Sequence, residues 1–277
     1  MQAQTIGRVA NRIAGGKFTV DGKEYTVGTG NVLHSGNTNF GTHVWDAKAL
    51  EPTAHEGAVQ LTMVSKDGDG GFPGNLTLKV TYSLNDDNEF KLAYEATTDK
   101  ATPVNVTNHA YFNLAGAPGW GNAAPARGGP AAAGGPPPAA DLELWVDADK
   151  YLVADAGLIP TGEMKAVAGT ALDFTKPTVI GSRMAQLAPA RSYDHAFVLN
   201  SGGKMATVAR LRDPKSGRVM EVKTDQPGLQ VYTGQAAGVA LETQHHPDSL
   251  HHENFPPIIV KPGETFKTTT IYAFSAK

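Results

Sequence analysis

The chain has 277 residues, a formal net charge of −3, no cysteine and 18% charged residues, against roughly 25% in an average soluble domain. The missing cysteines exclude a disulfide framework, a thiolate zinc site and a cysteine nucleophile, and without a basic stripe or acidic tail nucleic acid is a poor partner. No apolar run approaches the ~18 residues of a membrane span, and residues 1–5 lack the charged-then-apolar order of a secretion signal, so the reading is a soluble cytoplasmic protein with no membrane partner.

In chain order, Ile6-Gly7-Arg8-Val9-Ala10-Asn11-Arg12-Ile13-Ala14 reads as a short helical turn stopped by Gly15-Gly16. Phe18-Thr19-Val20 and Lys23-Glu24-Tyr25-Thr26-Val27 flank Asp21-Gly22, the strongest hairpin signal in the sequence. A strand from Val59 breaks at Asp67-Gly68-Asp69-Gly70-Gly71. Leu76, Leu78, Val80, Tyr82 and Leu84 then alternate with polar residues, turn at Asn85-Asp86-Asp87-Asn88, and return through Phe90, Leu92 and Tyr94. Between Ala123 and Ala140 every residue except Arg127 is Ala, Gly or Pro. Such a segment has little to bury and reads as a disordered surface insertion, since strand patterning resumes beyond it at Leu142 to Val146. The run Gly157-Leu158-Ile159-Pro160-Thr161-Gly162 reads as a turn-rich link, with further strands at 206–211, 229–232 and 268–274. No segment of helical length keeps a 3.6-residue period. These features predict an all-β chain, a large antiparallel sandwich forming a single domain over residues 1–277.

Candidate chemistry is sparse. His109 sits in T-N-H-A-Y-F-N-L-A-G, residues 107–116, directly after the strand-like Pro103-Val104-Asn105-Val106, so its neighbours should hold the ring in place. A lone histidine is more often satisfied by a backbone carbonyl than catalytic. Glu242, in A-L-E-T-Q-H-H-P-D at 240–248, supplies the acid that would complete a paired acid–base site. Asp194 precedes the apolar Ala196-Phe197-Val198-Leu199 and is either a strand-start residue or a group that anchors hydroxyls or orients a histidine. Asp67-Gly68-Asp69-Gly70 opens like a calcium loop but lacks the later ligands and reads as a hairpin loop. His245, His246, His251 and His252 invite a metal, but no thiol or close-spaced carboxylate completes a set, so no metal site is assigned.

Several blocks in one order then resemble the aldose 1-epimerases (galactose mutarotases): G-R-V-A-N-R-I-A at 7–14, L-H-S-G at 33–36, G-F-P-G-N-L at 71–76, the His109 block, G-L-I-P-T-G-E at 157–163, Y-D-H-A-F at 193–197, G-L-Q-V-Y-T-G at 228–234, L-E-T-Q-H at 241–245 and K-P-G-E-T-F at 261–266. The resemblance covers nearly the whole chain. It implies a β-supersandwich that interconverts the α and β anomers of free aldohexoses such as galactose and glucose without a cofactor, as a monomer or weak dimer. It implies Glu242 as general base on the C1 hydroxyl and His109 as general acid on the ring oxygen. His34 would contact the ring oxygen or a neighbouring hydroxyl, and Asn11, Arg12, Asp194 and Gln230 would bind the sugar. Ring opening needs one proton removed and one delivered on different atoms, which an ionised Glu and a His near pH 7 would satisfy with small pKa shifts.

The chain departs from the family pattern in four places. Only Met1 to Thr5 precede Ile6-Gly7, where the family has several strands, which predicts an open sheet edge or unfilled core. The family's Leu-His-Gly-Gly reads Leu-His-Ser-Gly, costly if that serine needs positive φ. The loop from Gly234 to Leu241 is short, which would reshape the cleft rim near Glu242, and the Ala/Gly/Pro segment replaces a more ordered one. Two alternatives stay open at this point: a degenerate, non-catalytic sugar-binding member, and a relative acting on a hexose phosphate.

Overall fold

Period-two hydrophobicity decides the architecture. In the computed structural model, which describes residues 4–116, 139–235 and 238–276, the alternating run at Leu76–Asn85 is a strand with Leu76, Leu78 and Val80 buried on one face. It pairs antiparallel with Glu56–Ser65 on one side and Glu89–Thr98 on the other, so that Val80 stands opposite Tyr94. Alternation stops reporting burial at its end: Leu84, expected on the buried face, is exposed although it is still paired with Gly57 on one side and Phe90 on the other. These strands belong to a nine-stranded sheet with Asp46–Ala49 at one edge and Thr178–Val179 at the other. All four residues of Asp46–Ala49 are exposed, so this edge is open.

A six-stranded sheet covers it, ordered Tyr111–Phe112, Val239–Gln244, Gly228–Tyr232, Asp194–Val198, Lys150–Ala154, Pro160–Ala166. Its inward side chains, Phe197, Leu229, Val231, Val239 and Leu241, join Leu78, Val80, Leu92, Leu144, Val222 and Tyr272 of the large sheet in one buried cluster. Each such side chain contributes ~1.5–3 kcal/mol when fully buried. Because strand side chains alternate, Glu242, Gln230 and Asp194 point to the opposite, outer face. Nonpolar packing thus fixes the sheet that presents the polar residues.

The N-terminal residues lie over that outer face. The expected helical turn at 6–14 is instead two short strands, Thr5–Ile6 paired with Thr107–Asn108 and Arg12–Ile13 paired with Val32–Leu33, followed by a 3₁₀ turn at Ala14–Gly16. The 3.6-residue pattern was too short to survive the glycines and the pull of strand partners. The hairpin does form, Lys17–Val20 against Lys23–Thr26, with Asp21 and Gly22 both at positive φ. Phe18 stacks on Phe72 at 5.7 Å, in a second cluster with Val9, Ile13 and Ile258 that seats this region. The link expected at 157–162 is half strand, because Pro160–Ala166 pairs with Lys150–Ala154.

Residues 123–138 of the Ala/Gly/Pro segment lie outside the described residues. Its last two, Ala139 and Ala140, correct the expectation of an unpacked insertion: both are buried, and the carbonyl of Ala140 accepts the main-chain N–H of Gly181 at 2.8 Å. Among the described residues no helix is long and apolar enough to cross a membrane.

Candidate active site

Arg8 anchors the approach to the site. Its buried guanidinium donates to Pro73 O at 2.7 Å, to Thr102 Oγ1 at 3.0 Å and to Ser65 Oγ at 2.7 Å. The main-chain N–H of Ala10 donates to Asn105 O at 2.7 Å, which holds residues 8–10 against the chain leading to His109. The next residue, Asn11, turns the backbone with φ 61°. That brings its main chain against His34: the Asn11 N–H donates to His34 Nδ1 at 3.0 Å, and the His34 N–H returns to Asn11 O at 2.8 Å. The serine after His34 does sit at positive φ, 59°, and its hydroxyl bridges the backbone of Val9, accepting from N–H at 2.9 Å and donating to C=O at 3.2 Å. The side chain that makes this conformation costly also ties the His34 loop to the main chain of Val9.

His109 lies between two paired segments, Thr107–Asn108 and Tyr111–Phe112, and its main-chain N–H donates to Gln4 O at 3.0 Å. The ring meets His34 edge-on at 5.3 Å and Tyr111 at 5.0 Å. Its Nε2 is 3.4 Å from Glu242 Oε1, and both side chains are almost wholly buried. Glu242 stands directly opposite Gln230 in the strand register. Gln230 Nε2 donates to Asp194 Oδ1 at 2.5 Å, and Arg12 Nη2 lies 3.9 Å from Asp194 Oδ2.

All seven residues singled out from the sequence therefore line one cleft of about 220 Å³. Sequence reasoning missed four other lining residues, Leu33, Tyr111, Tyr232 and Gln235. Period two could have found the tyrosines: Tyr232 follows Gln230 by two along one strand, and Tyr111 follows His109 by two. Asn11 lines the cleft as expected; its buried side chain accepts from Arg12 Nη1 at 3.5 Å, and its main chain meets His34. Residues 236–237 of the short rim loop lie outside the described residues.

Burial, more than neighbouring charge, sets the electrostatics. It raises the Glu242 carboxyl to about 8, with Asp194 adding to the rise and Arg12 opposing it. It lowers His109 to about 4 and His34 to about 3. This corrects the expectation of small shifts: the apolar sheet that positions the pair also withholds water from both charged forms. Both shifts favour the uncharged forms, a protonated carboxyl beside a neutral imidazole.

His34, His109 and Glu242 each offer a ligand atom within 4.8 Å of the others, the spacing of a two-histidine, one-carboxylate metal set. The four histidines at 245–252 go elsewhere. His245 Nδ1 meets Gln226 Oε1 at 2.8 Å, His246 packs edge-on to Phe255, His251 Nδ1 meets the buried carboxylate of Asp248 at 2.7 Å, and His252 Nε2 meets Pro160 O at 2.8 Å. Asp248 Oδ1 also accepts the main-chain N–H of Ala14 at 2.9 Å, bracing the turn directly after the Arg12–Ile13 strand, a link no motif announces.

Fold and cleft together define a class: an antiparallel β-sandwich carrying a buried histidine–glutamate contact in a cleft lined by polar side chains. Residues 1–273 match the model of the aldose 1-epimerase family. The chain is 40% identical to human galactose mutarotase over 98% of its own length and 78% of the relative, and 34% identical to the aldose 1-epimerase of Escherichia coli K12 over 99% and 80%. The solved structure of galactose 1-epimerase from Lactobacillus acidophilus aligns with a TM-score of 0.81 at 30% identity, covering 99% of this chain and 80% of that one. An aldose epimerase homologue from Caenorhabditis elegans aligns at 0.83 and 25% identity, covering 99% and 82%. The chain belongs to the aldose 1-epimerase family.

Proposed function

We propose that this cleft opens and recloses the ring of free aldohexoses, interconverting their α and β anomers, and that His109 and Glu242 carry the two proton transfers. The observation that carries the assignment of roles is their 3.4 Å contact at the base of the cleft. One proton on the pair has two placements. In the working one it sits on His109, leaving Glu242 ionised. Glu242 then removes the proton of the C1 hydroxyl while His109 delivers its own to the ring oxygen. The C1–O5 bond breaks, C1=O1 forms, rotation about C1–C2 presents the other face, and the same transfers in reverse close the ring. Substrate hydroxyls replace the water that burial removed, which favours the charged placement once sugar is bound. Each transfer is expected to contribute ~10²–10⁴-fold.

Asp194, set by Gln230 and Arg12, is the acceptor for sugar hydroxyls, and Tyr111 and Tyr232 supply flat walls. A phosphorylated sugar fits less well. Arg12 is the one cation among the described lining residues and it faces Asp194, while Arg8 is consumed in the backbone bonds described above. We also place the protein in the cytoplasm, as a monomer or weak dimer whose partner is the free hexose rather than nucleic acid, on its lack of cysteine and its charge of −3. The family match running through residues 1–273 supports reading the whole chain as one domain.

Polarimetry of freshly dissolved α-D-galactose tests the reaction. The approach to equilibrium rotation accelerates with the protein present. A folded protein that leaves the buffer rate unchanged overturns the catalytic reading in favour of a binding-only one.

A further inference from the structure

The two histidines of the cleft are held in different ways. His109 Nδ1 is buried without a hydrogen-bond partner and its Nε2 meets a carboxyl, so nothing fixes where its hydrogen sits. His34 Nδ1 receives the main-chain N–H of Asn11 at 3.0 Å. An N–H donates only to a lone pair, so this nitrogen carries no hydrogen, and the single hydrogen of the neutral ring lies on Nε2. A hydrogen on Nδ1 would face that of Asn11, and the buried amide would lose its acceptor. The donor cannot turn away, because Asn11 O accepts His34 N–H at 2.8 Å and closes a reciprocal pair between the two residues. Both residues sit in the left-handed region, at φ 61° and 53°, where asparagine and histidine are among the tolerated side chains.

We infer that the Asn11 main-chain amide locks His34 as the Nε2–H tautomer, a permanently neutral hydrogen-bond donor to a substrate oxygen, leaving His109 as the histidine of the cleft that moves a proton. The inference rests on the proposed function for its substrate but not for the lock itself. It assigns Asn11 as a positioning residue acting through its backbone. A pyranose ring oxygen has lone pairs and no hydrogen, so it needs such a donor. The low basicity of the buried His34 ring agrees with the geometry. The lock also bears on the metal-like spacing of His34, His109 and Glu242. A metal needs a lone pair on the nitrogen facing the cleft, and there the lock places a hydrogen.

The test reads the ring nitrogens directly, by long-range ¹H–¹⁵N correlation on protein with labelled histidine, with His34 assigned by its loss in His34→Gln. Wild type shows a protonated Nε2 and a bare Nδ1 at His34, unchanged from pH 8 to pH 5, and added Zn²⁺ leaves those signals in place. Asn11→Gly, which keeps the left-handed turn and its N–H, preserves the pattern. Asn11→Val, which disfavours that turn, releases the ring toward mixed tautomers and ordinary titration. Should Asn11→Val not fold, the wild-type and Asn11→Gly spectra decide. A hydrogen on Nδ1, protonation of both nitrogens above pH 5, or Zn²⁺ coordination at His34 overturns the lock. None of these readouts needs turnover, so a failed polarimetry experiment strikes the function and leaves the lock standing. Where turnover is present, His34→Gln, which keeps an N–H donor, retains about tenfold more kcat/KM than His34→Phe. At His109 the same pair of substitutions is equally damaging. Equal losses at His34 would show that it works as an acid and overturn the donor role.

Discussion

Gln230 and Glu242 face each other across adjacent strands, so the amide that holds Asp194 is the cross-strand neighbour of the carboxyl that meets His109. The Gln230–Asp194 and Glu242–His109 contacts are thereby fixed by one register. A slip of one residue in either strand would turn that strand's polar side chain into the apolar core.

The pair should impose its own pH limits. With His109 lowered to about 4 and Glu242 raised to about 8, kcat/KM is expected to hold a plateau between those values and fall outside them. The two apparent pKa values belong to the pair, since the groups are in contact. Initial rates by polarimetry from pH 3.5 to 9, corrected for buffer catalysis, give the profile. A fall centred near 6.5 would mean that the imidazole is not desolvated.

Glu242→Gln is expected to lower kcat by ~10²–10⁴-fold while raising stability at alkaline pH. The folded-state pKa, about 8, lies above the ordinary 4.5, so the folded protein keeps a proton that the unfolded chain releases. The carboxyl's contribution is therefore lost as pH rises from about 4.5 to about 8. The glutamine has nothing to ionise, and at pH 8 its Tm should exceed wild type by at least ~2–4 °C. Calorimetry at pH 5 and pH 8 checks this: an advantage that does not grow with pH contradicts the burial of the charge.

Asp194→Asn and Arg12→Met should move the alkaline limb in opposite directions. Asp194 helps raise the Glu242 pKa and Arg12 helps lower it, so removing the first shifts the limb down and removing the second shifts it up. Both lose hydrogen bonds to a charged group, ~1.5–3 kcal/mol, so KM should rise ~10–100-fold in each. Shifts of the same sign in the two variants would refute the assignment.

At Ser35 the comparison is between Ala and Gly. Alanine keeps the strain of φ 59° and strands the buried N–H of Val9, at a cost of ~1–3 kcal/mol. Glycine loses the same hydroxyl but relieves the backbone, so Ser35→Gly should melt above Ser35→Ala. The reverse order by thermal denaturation would show that the serine turn is unstrained.

Acid should unfold the protein early. Burial lowers His34 to about 3 and His109, His245 and His246 to about 4. These depressed values mean that the unfolded chain takes up protons the folded one refuses as pH falls from 6.5 toward 4. Each such group costs up to ~1.4 kcal/mol per pH unit. Four of them outweigh the opposing contributions of Glu242 and His251, whose pKa values are raised. The urea midpoint should therefore drop between pH 7 and pH 5, and a flat midpoint would mean that these rings are solvated.

Much of this was legible in the residues. Alternation from Leu76 to Tyr94 gave the central strands, and ordered motifs gave His109, Glu242 and their companions. Leu84 shows one limit, since alternation reports a face but not how much of that face is covered. Asn11 shows another: the motif points to a sugar contact for its side chain but gives no sign of the main-chain N–H and left-handed turn that set it against His34. The pKa values were misjudged for the same kind of reason, because desolvation comes from apolar residues far away in sequence. Asp248 was invisible as a brace, being defined by a partner at Ala14.

The cleft draws Asn11, Arg12 and His34 from the beginning of the chain and Glu242 from near its end. During synthesis the early part has to wait for more than two hundred further residues before the carboxyl exists. The cleft is thus a readout of late translation: its carboxyl joins Asn11, Arg12 and His34 only once the strand Val239–Gln244 has emerged and docked beside Gly228–Tyr232.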